Sequence, residues 1–245
     1  MGWREIRSRL WGWLLAAAVV LLAAALPGGA QTRRDTVVIG MAQEPDRLGA
    51  FSIMVAASVV ENALYAQAAP FTDRWVRMPV MVEKLPTLKD GDWVVLPNGM
   101  MRVTWRLRRG FTWHDGRPVT ALDWRFTYGM FRNPQTPQVS RFILNKVDNV
   151  LVPNPADPYT MVVQWNELYP IAGSLPFGGA YPLPRHLLET AYLKDPGRLP
   201  AHPYWRAPVG HGPYRFVEWV PGSHITLEAY DRFPLGAPKI RRVVF

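Results

Sequence analysis

The side chains best suited to chemistry in this chain are five histidines, and their spacing does not make a metal site. No two of them have the separation that zinc ligands use, and the chain has no cysteine to join them. We therefore expect no metal and no cofactor. The histidines are His114, His186, His202, His211 and His224.

Two pairs of residues could serve acid–base catalysis. His114 and Asp115 are adjacent, but Gly116 follows them and Asp-Gly is common turn chemistry. Glu44 and Asp46 lie on an early loop, and no neighbouring residue in the sequence would raise the pKa of one carboxyl above that of the other. The sequence also contains no nucleophile elbow, phosphate-binding loop or dinucleotide fingerprint. We expect a protein that is not an enzyme, and a secreted hydrolase is the less favoured alternative.

The most regular stretch surrounds the His114-Asp115 pair. Apolar and polar residues alternate over Met101–Leu107, which predicts a half-buried strand. After a turn at 114–116, Thr120 is placed to cap a helix, and Asp123 stands at the third helical position of a capping box. The helix should carry an apolar stripe of residues four apart: Leu122, Phe126 and Met130.

Elsewhere the pattern predicts short strands, few helices and proline-rich loops, which favours a mixed α/β or α+β fold. A helix is predicted over Met54–Gln67, with Met54, Val55, Val59, Ala63 and Ala66 on its apolar face, and another over Pro184–Tyr192. Asp195–Pro208 is predicted to be a polar linker. The remaining predicted strands are a buried one at Thr36–Met41, then Trp93–Leu96, Val147–Val152, Tyr159–Trp165, Tyr214–Trp219, His224–Ala229 and Ile240–Phe245.

The first thirty residues have the features of a secretory signal peptide. Three arginines precede an apolar run from Leu10 to Leu26, and small residues at Gly28 and Ala30 place a cleavage site near Ala30/Gln31. The alternative is an uncleaved membrane anchor, since seventeen apolar residues approach the length of a span. We expect cleavage, and therefore a periplasmic protein.

Charge and composition restrict the possible partners. The formal net charge is +9, but the arginines are scattered rather than grouped in a stripe, so we expect no nucleic-acid binding. Aromatic residues make up 12% of the chain. Most should lie in the core, while a minority could line a cleft for peptides or sugars.

Two segments of the sequence resemble the signature blocks of the extracellular solute-binding proteins of family 5. The first is GFTWHDGRPVTALDWRFTY at 110–128, preceded by Arg108 and Arg109. The second is PVGHGPYRF at 208–216, followed by Glu218, Trp219 and the Pro-Gly-Ser at 221–223. His211 stands where the family usually has threonine, and Trp124 where it has a smaller aliphatic residue. Weaker matches at 36–51 and 180–189 occur in the family's order.

The resemblance implies a receptor that captures peptides or related small solutes for an ABC permease in the cytoplasmic membrane. It implies a type II periplasmic-binding-protein fold, with residues 31–50 and 206–245 in the sheet of the first lobe. Residues 51–205 would form the extra subdomain of the peptide-binding branch. On this map the second lobe is missing from the chain, so we expect a truncated or partial receptor.

The resemblance, together with the rule that open α/β sheets bind ligands beyond their strand ends, gives a set of candidate ligand-binding residues. We expect a peptide-like ligand and a monomer. A remnant that no longer binds solute, or an interaction protein, is the remaining alternative. The candidates are Glu44, Pro45, Asp46, Leu48, Tyr65, Gly210, His211 and Gly212.

Overall fold

The computed structural model describes residues 35–137, 141–174, 176–178 and 181–245. The predicted signal peptide and its cleavage site lie outside the described residues. Within them, three α-helices span Val55–Leu64 (α1), Ala121–Arg132 (α2) and Arg185–Lys194 (α3). Eight strands span Thr36–Val38 (β1), Trp93–Val95 (β2), Met101–Arg106 (β3), Val147–Leu151 (β4), Thr160–Trp165 (β5), Tyr214–Val220 (β6), His224–Ala229 (β7) and Arg242–Val244 (β8).

The strands form two four-stranded sheets. The first sheet has the order β1-β8-β7-β6, with β1 parallel to β8 and the other pairs antiparallel. The second sheet has the order β2-β3-β5-β4 and is antiparallel throughout. The mixed α/β class that the sequence predicted is confirmed, as are both hairpins, β2–β3 and β6–β7.

Strand β1 differs from its prediction. It is shorter than Thr36–Met41, and it is not buried: Val38 is 67% exposed and Ile39 is 37% exposed. An apolar sequence therefore lies at the edge of the first sheet, because among the described strands only β8 pairs with it. Composition indicated a strand here but could not show that no other described strand pairs with its second side.

Helix α1 presents a different face from the predicted one. Its buried residues are Ala57, Val60 and Leu64, while Val55 is 80% exposed. Seven of the ten positions in this helix are apolar, so hydrophobic periodicity did not distinguish its faces. The helix also ends at Leu64, because Tyr65 takes an extended conformation with φ −122° and ψ 122°.

Helix α2 begins with the predicted capping box. Thr120 accepts a hydrogen bond from Leu122 N at 3.3 Å, and Asp123 accepts one from Thr120 N at 2.9 Å. The other carboxylate oxygen of Asp123 accepts from Arg185 N at 3.2 Å, so the same residue fixes the start of α3. Burial raises the pKa of Asp123, although these hydrogen bonds oppose the shift.

The segment 195–208 is not a polar linker. It forms two 3-10 helices, Pro196–Ala201 and Pro203–Trp205, that begin with proline at the first position. Leu199, Tyr204 and Trp205 from this segment are buried against α2 and α3. Two prolines of the predicted polar linker, Pro196 and Pro203, instead start short helices that complete a core.

The largest core lies under the second sheet and contains four fully buried tryptophans: Trp105, Trp113, Trp124 and Trp165. A second core joins α1 to the first sheet through Val60, Leu64, Ile225 and Leu227. No helix in the described part of the chain is both long and apolar enough to cross a membrane.

The contact between α2 and the residues just before α3 can be tested at Thr127. Its hydroxyl donates to Asp123 O and accepts from Leu183 N, both at 2.8 Å, and the side chain is fully buried. Thr127→Val should lower the free energy of unfolding by about 1–3 kcal/mol, because Leu183 N loses its acceptor inside the protein. Urea denaturation measures this. Thr104→Val, on the half-exposed face of β3, is the control and should change it little.

Candidate functional site

A groove of about 420 Å³ lies beyond the carboxyl ends of the parallel strands β1 and β8. Its walls come from the loop after β1, the end of β8 and the turn between β6 and β7. Small-molecule sites in open sheets favour this position, and the volume falls in the usual range of roughly 300–1,000 Å³. Its lining includes Val38, Ile39, Glu44, Pro45, Trp219 and Phe245.

Glu44 fastens one wall of the groove to the other. One carboxylate oxygen accepts from the indole N–H of Trp219 at 2.7 Å, and the second accepts from Gly222 N at 3.0 Å. The guanidinium of Arg206 lies 4.2 Å from the centre of the Trp219 ring. In this arrangement Glu44 positions the β6–β7 turn and the indole that line the groove, and Pro45 lies buried beside it.

Asp46 and Leu48 follow on the same loop. Asp46 is partly exposed to solvent, and Leu48 is buried. Asp46 accepts from Arg47 Nε at 2.8 Å and from Ser52 Oγ at 2.7 Å. Burial would raise the pKa of Asp46, but these hydrogen bonds hold it below its usual value. Leu48 is completely buried, and its N–H donates to Trp205 O at 2.8 Å.

Behind the loop lies a buried polar cluster, defined by Glu61, Tyr65, Tyr181 and Tyr204. The rings of Tyr65 and Tyr181 stack at 4.4 Å, and the hydroxyl of Tyr65 lies 3.2 Å from that of Tyr204. Tyr181 donates to Glu61 at 3.0 Å, and Gly49 N donates to the other oxygen of Glu61 at 2.6 Å. Burial raises the pKa of Glu61, so its carboxylate depends on these two donors.

The segment 210–212 passes directly over the end of α1. Leu64 O accepts from His211 N at 3.1 Å and from Gly212 N at 2.7 Å. A Cβ at position 210 would lie 2.2 Å from Leu64 O, and one at position 212 would lie 2.6 Å from Ala63 O. Glycine is required at both positions by this close backbone approach.

Two histidines meet at this crossing. His114 donates from its backbone N to Gly210 O at 2.8 Å, and its Nε2 lies 3.1 Å from Gly212 O. His211 is 1% exposed and packs against Trp113 at 4.7 Å between ring centres. Burial lowers the pKa of His211 to about 3 and that of His114 to about 4. Hydrogen bonding to the backbone at Pro182 and at His211 itself partly opposes the shift of the His211 pKa.

The eight candidate ligand residues therefore divide into two sets. Glu44 and Pro45 line the groove, and Asp46 lies on the same loop, tied to Ser52. Leu48, Tyr65, Gly210, His211 and Gly212 are buried and contact other parts of the protein. Direct ligand contact by any of the eight stays a prediction. The groove walls that the sequence did not point to are Val38, Ile39 and Trp219, because a loop motif does not reveal which distant hairpin it meets.

One arrangement of hydrolase-type residues was missed. Ser223 Oγ lies 2.9 Å from His224 Nδ1, and His224 Nε2 lies 3.5 Å from a Glu218 oxygen. The serine and histidine are neighbours in a hairpin turn, and all three are at least partly exposed to water. Exposure weakens the electrostatic activation that a serine nucleophile needs. Among the described residues there is no group of three acidic, histidine or cysteine side chains that could hold a metal ion.

Comparison with known proteins decides the family. Residues 88–245 match the family described as bacterial extracellular solute-binding proteins, family 5 Middle. The chain belongs to this family. Both signature blocks that suggested the resemblance lie inside the matched region. The hydrogen bond from His114 N to Gly210 O joins one block to the other. Members of family 5 are solute-binding receptors rather than enzymes.

The relatives of this chain are named for what they bind. A putative ABC transporter peptide-binding protein of Brucella ovis is 29% identical over 133 residues, which are 54% of this chain and 24% of that protein. The oligopeptide-binding protein AppA of Bacillus subtilis is 25% identical over 218 residues, 85% of this chain and 36% of that protein. The chain thus spans about a quarter to a third of the length of these relatives.

Solved structures show the same fold. AppA of Bacillus subtilis in complex with a nonapeptide superposes with a TM-score of 0.73 at 22% identity, over 85% of this chain and 39% of that one. The oligopeptide-binding protein of Thermus thermophilus with a pentapeptide gives 0.72 at 24% identity, over 86% and 40%. The predicted substrate-binding-protein fold is therefore confirmed for the part that this chain covers.

The buried histidines generate a pH prediction. Because the folded pKa of His211 lies below the unfolded value, the unfolded state binds the proton first as the pH falls. The free energy of unfolding should therefore decline from about pH 6.5 towards pH 3, by up to ~1.4 kcal/mol per pH unit for each such histidine. His211→Leu should reduce the slope of this decline by up to ~1.4 kcal/mol per pH unit, which is the contribution of one proton.

Urea denaturation at a series of pH values measures the slope. Leu193→Ala, which removes no titrating group from an exposed position, is the control and should leave the slope of the parent protein unchanged. Parallel pH curves for His211→Leu and the parent would contradict the assignment of His211 as a buried neutral group.

Proposed function

We propose that the chain is the solute-binding component, or a portion of it, of an ABC importer that takes up peptide-like solutes. The groove beyond β1 and β8 is the proposed site, and its position in a family 5 fold is the observation that carries the proposal. An ABC permease is the proposed partner, and the periplasm, reached by cleavage near Ala30/Gln31, is the proposed location. We also propose that the protein is a monomer without a cofactor.

The free edge of β1 supports an extended peptide as the ligand. Arg242 N donates to Asp35 O at 3.1 Å, and Ile39 N donates to Val244 O at 2.8 Å. In a parallel ladder these bonds turn the N–H and C=O groups of Thr36 and Val38 to the opposite side. No described strand pairs with them there, so a peptide backbone can add to this edge while its side chains contact the apolar groove.

The groove walls suit side chains of mixed chemistry. Val38, Ile39 and Phe245 offer apolar contact, and Trp219 offers a flat ring held in place by Glu44. We assign Glu44 and Pro45 to the wall itself. The buried candidates, Leu48, Tyr65, Gly210, His211 and Gly212, then support the loop that carries the wall.

The domain boundaries that we propose are those expected from the sequence. We propose that residues 31–50 and 206–245 form the lobe sheet that carries the groove and that 51–205 is the inserted subdomain. The chain covers about two fifths of the matched structures, 39% and 40%, so the groove is proposed as one wall of the complete binding site.

A matched pair of valine variants tests the site. Val38 ends β1 in the groove, and Val95 ends β2 in the second sheet; their exposures are 67% and 47%. Val38→Arg should weaken binding of a short-peptide mixture by about tenfold or more, because a long charged chain would fill the groove and cover the edge. Val95→Arg should not change the affinity. Isothermal calorimetry on the full chain measures both.

No binding heat from the parent chain would favour the alternative of a remnant that no longer holds solute. Equal affinities of Val38→Arg and the parent would place the ligand elsewhere on the protein.

A secreted hydrolase is the second candidate, and Ser223, His224 and Glu218 are the observation that favours it. We rank it below a receptor because family 5 proteins bind solutes and because the Ser223–His224 contact joins adjacent residues in a turn. Ester turnover by the full chain that disappears in Ser223→Ala would support the hydrolase. We expect no turnover above the buffer rate in either protein.

A further inference from the structure

A small hairpin in the described structure exposes apolar residues to water instead of packing them into a core. We call it the Trp75 hairpin, residues Pro70–Met78. Met78 N donates to Pro70 O at 2.9 Å, and Thr72 N donates to Val76 O at 2.8 Å. Its large apolar side chains have exposed fractions of 50% (Phe71), 80% (Trp75), 61% (Val76) and 47% (Met78).

The tip of the hairpin is strained around its most exposed residue. Trp75 has φ 58°, in the left-handed region that bulky residues seldom adopt, and turns of this kind usually place glycine there. The side chain offsets little of this strain, since its ring contact is with Phe71 at 5.6 Å between centres. Strain of this type on an exposed side chain is a reason to look for a partner outside the fold.

The hairpin is braced so that its apolar tip stays exposed. The guanidinium of Arg77 lies 3.9 Å from the centre of the Phe71 ring and donates to Ala69 O at 2.7 Å. Thr72 Oγ1 accepts from Arg74 N and Val76 N, both at 3.3 Å. A partner would therefore meet an already ordered loop and would not have to order it.

Charge and size indicate what kind of partner fits. Arg74 and Arg77 flank Trp75, and Asp73 is the one acidic residue of the hairpin, so the tip favours an anionic surface. Four side chains are too few for a specific protein interface, which buries roughly 1,200–2,000 Å². A bilayer surface needs no complementary shape, and tryptophan beside arginine suits the headgroup region.

We propose that the Trp75 hairpin inserts into the headgroup region of an anionic phospholipid membrane and holds the protein at the membrane surface. This interaction is separate from the groove and does not depend on solute binding.

Vesicle co-sedimentation of residues 31–245, the chain without its predicted signal peptide, tests the proposal. Vesicles of equal parts phosphatidylcholine and phosphatidylglycerol should bind it, and molar salt should weaken the binding. Trp75→Gly should reduce the partition coefficient by about tenfold or more, since the apolar contact is lost. The same change should leave the melting temperature equal or higher, because glycine adopts φ 58° without strain. Arg74→Gln should reduce binding about fivefold.

Leu193→Ala is the matched control: Leu193 on α3 is 73% exposed and lies outside the hairpin, so its loss should not change vesicle binding. A local probe separates the hairpin from any other membrane contact. The chain has no cysteine, so Val76→Cys accepts a single environment-sensitive fluorophore. Its emission should shift to the blue with anionic vesicles, while the same label in Leu193→Cys should not shift.

Three results would overturn the proposal. They are equal vesicle binding by Trp75→Gly and the parent, an unshifted label at position 76 on chains that sediment with vesicles, and equal binding to vesicles of phosphatidylcholine alone. Hairpin-dependent binding to an acidic protein, without vesicle binding, would also overturn it and would identify a protein partner instead.

Discussion

The backbone contact between Leu64 and the segment 210–212 is the constraint on which the arrangement of this protein depends. One carbonyl oxygen accepts from two successive amides, His211 N and Gly212 N. Such an approach excludes side chains at positions 210 and 212, so it couples the end of α1 to the entry of β6. The same segment accepts the hydrogen bonds of His114, which begins the turn that leads to α2. The two sheets are thereby joined through a crossing of a few backbone atoms.

Polar groups near this crossing are buried in an uncharged or fully bonded form. Both histidines have lowered pKa values, and the carboxylate of Glu61 receives two hydrogen bonds. Charge in this region would be costly because little water reaches it. The groove, where Glu44 joins the loop after β1 to the β6–β7 turn, lies outside this buried region. The buried cluster holds Gly49, and with it the loop that forms one wall of the groove.

The position of the groove also explains why most residues of the signature blocks are not the residues that line the groove. The signature blocks contain glycines, a histidine and a capped helix start, and these residues hold backbone segments at close distance. The groove, in contrast, is lined by Val38, Ile39 and Trp219, whose side chains carry no motif.

The sequence by itself determined the elements whose signals are local. Alternation specified β3, the capping box specified the start of α2, and the signature blocks specified the family and its fold. The tertiary structure alone decided which side of an apolar segment is buried: Val55 and Val38 are exposed, although each lies in an apolar run. It also decided that 195–208 packs as two short helices, and that Glu44 meets Trp219. These outcomes depend on contacts between residues far apart in the chain, and such contacts leave no periodic pattern in the sequence.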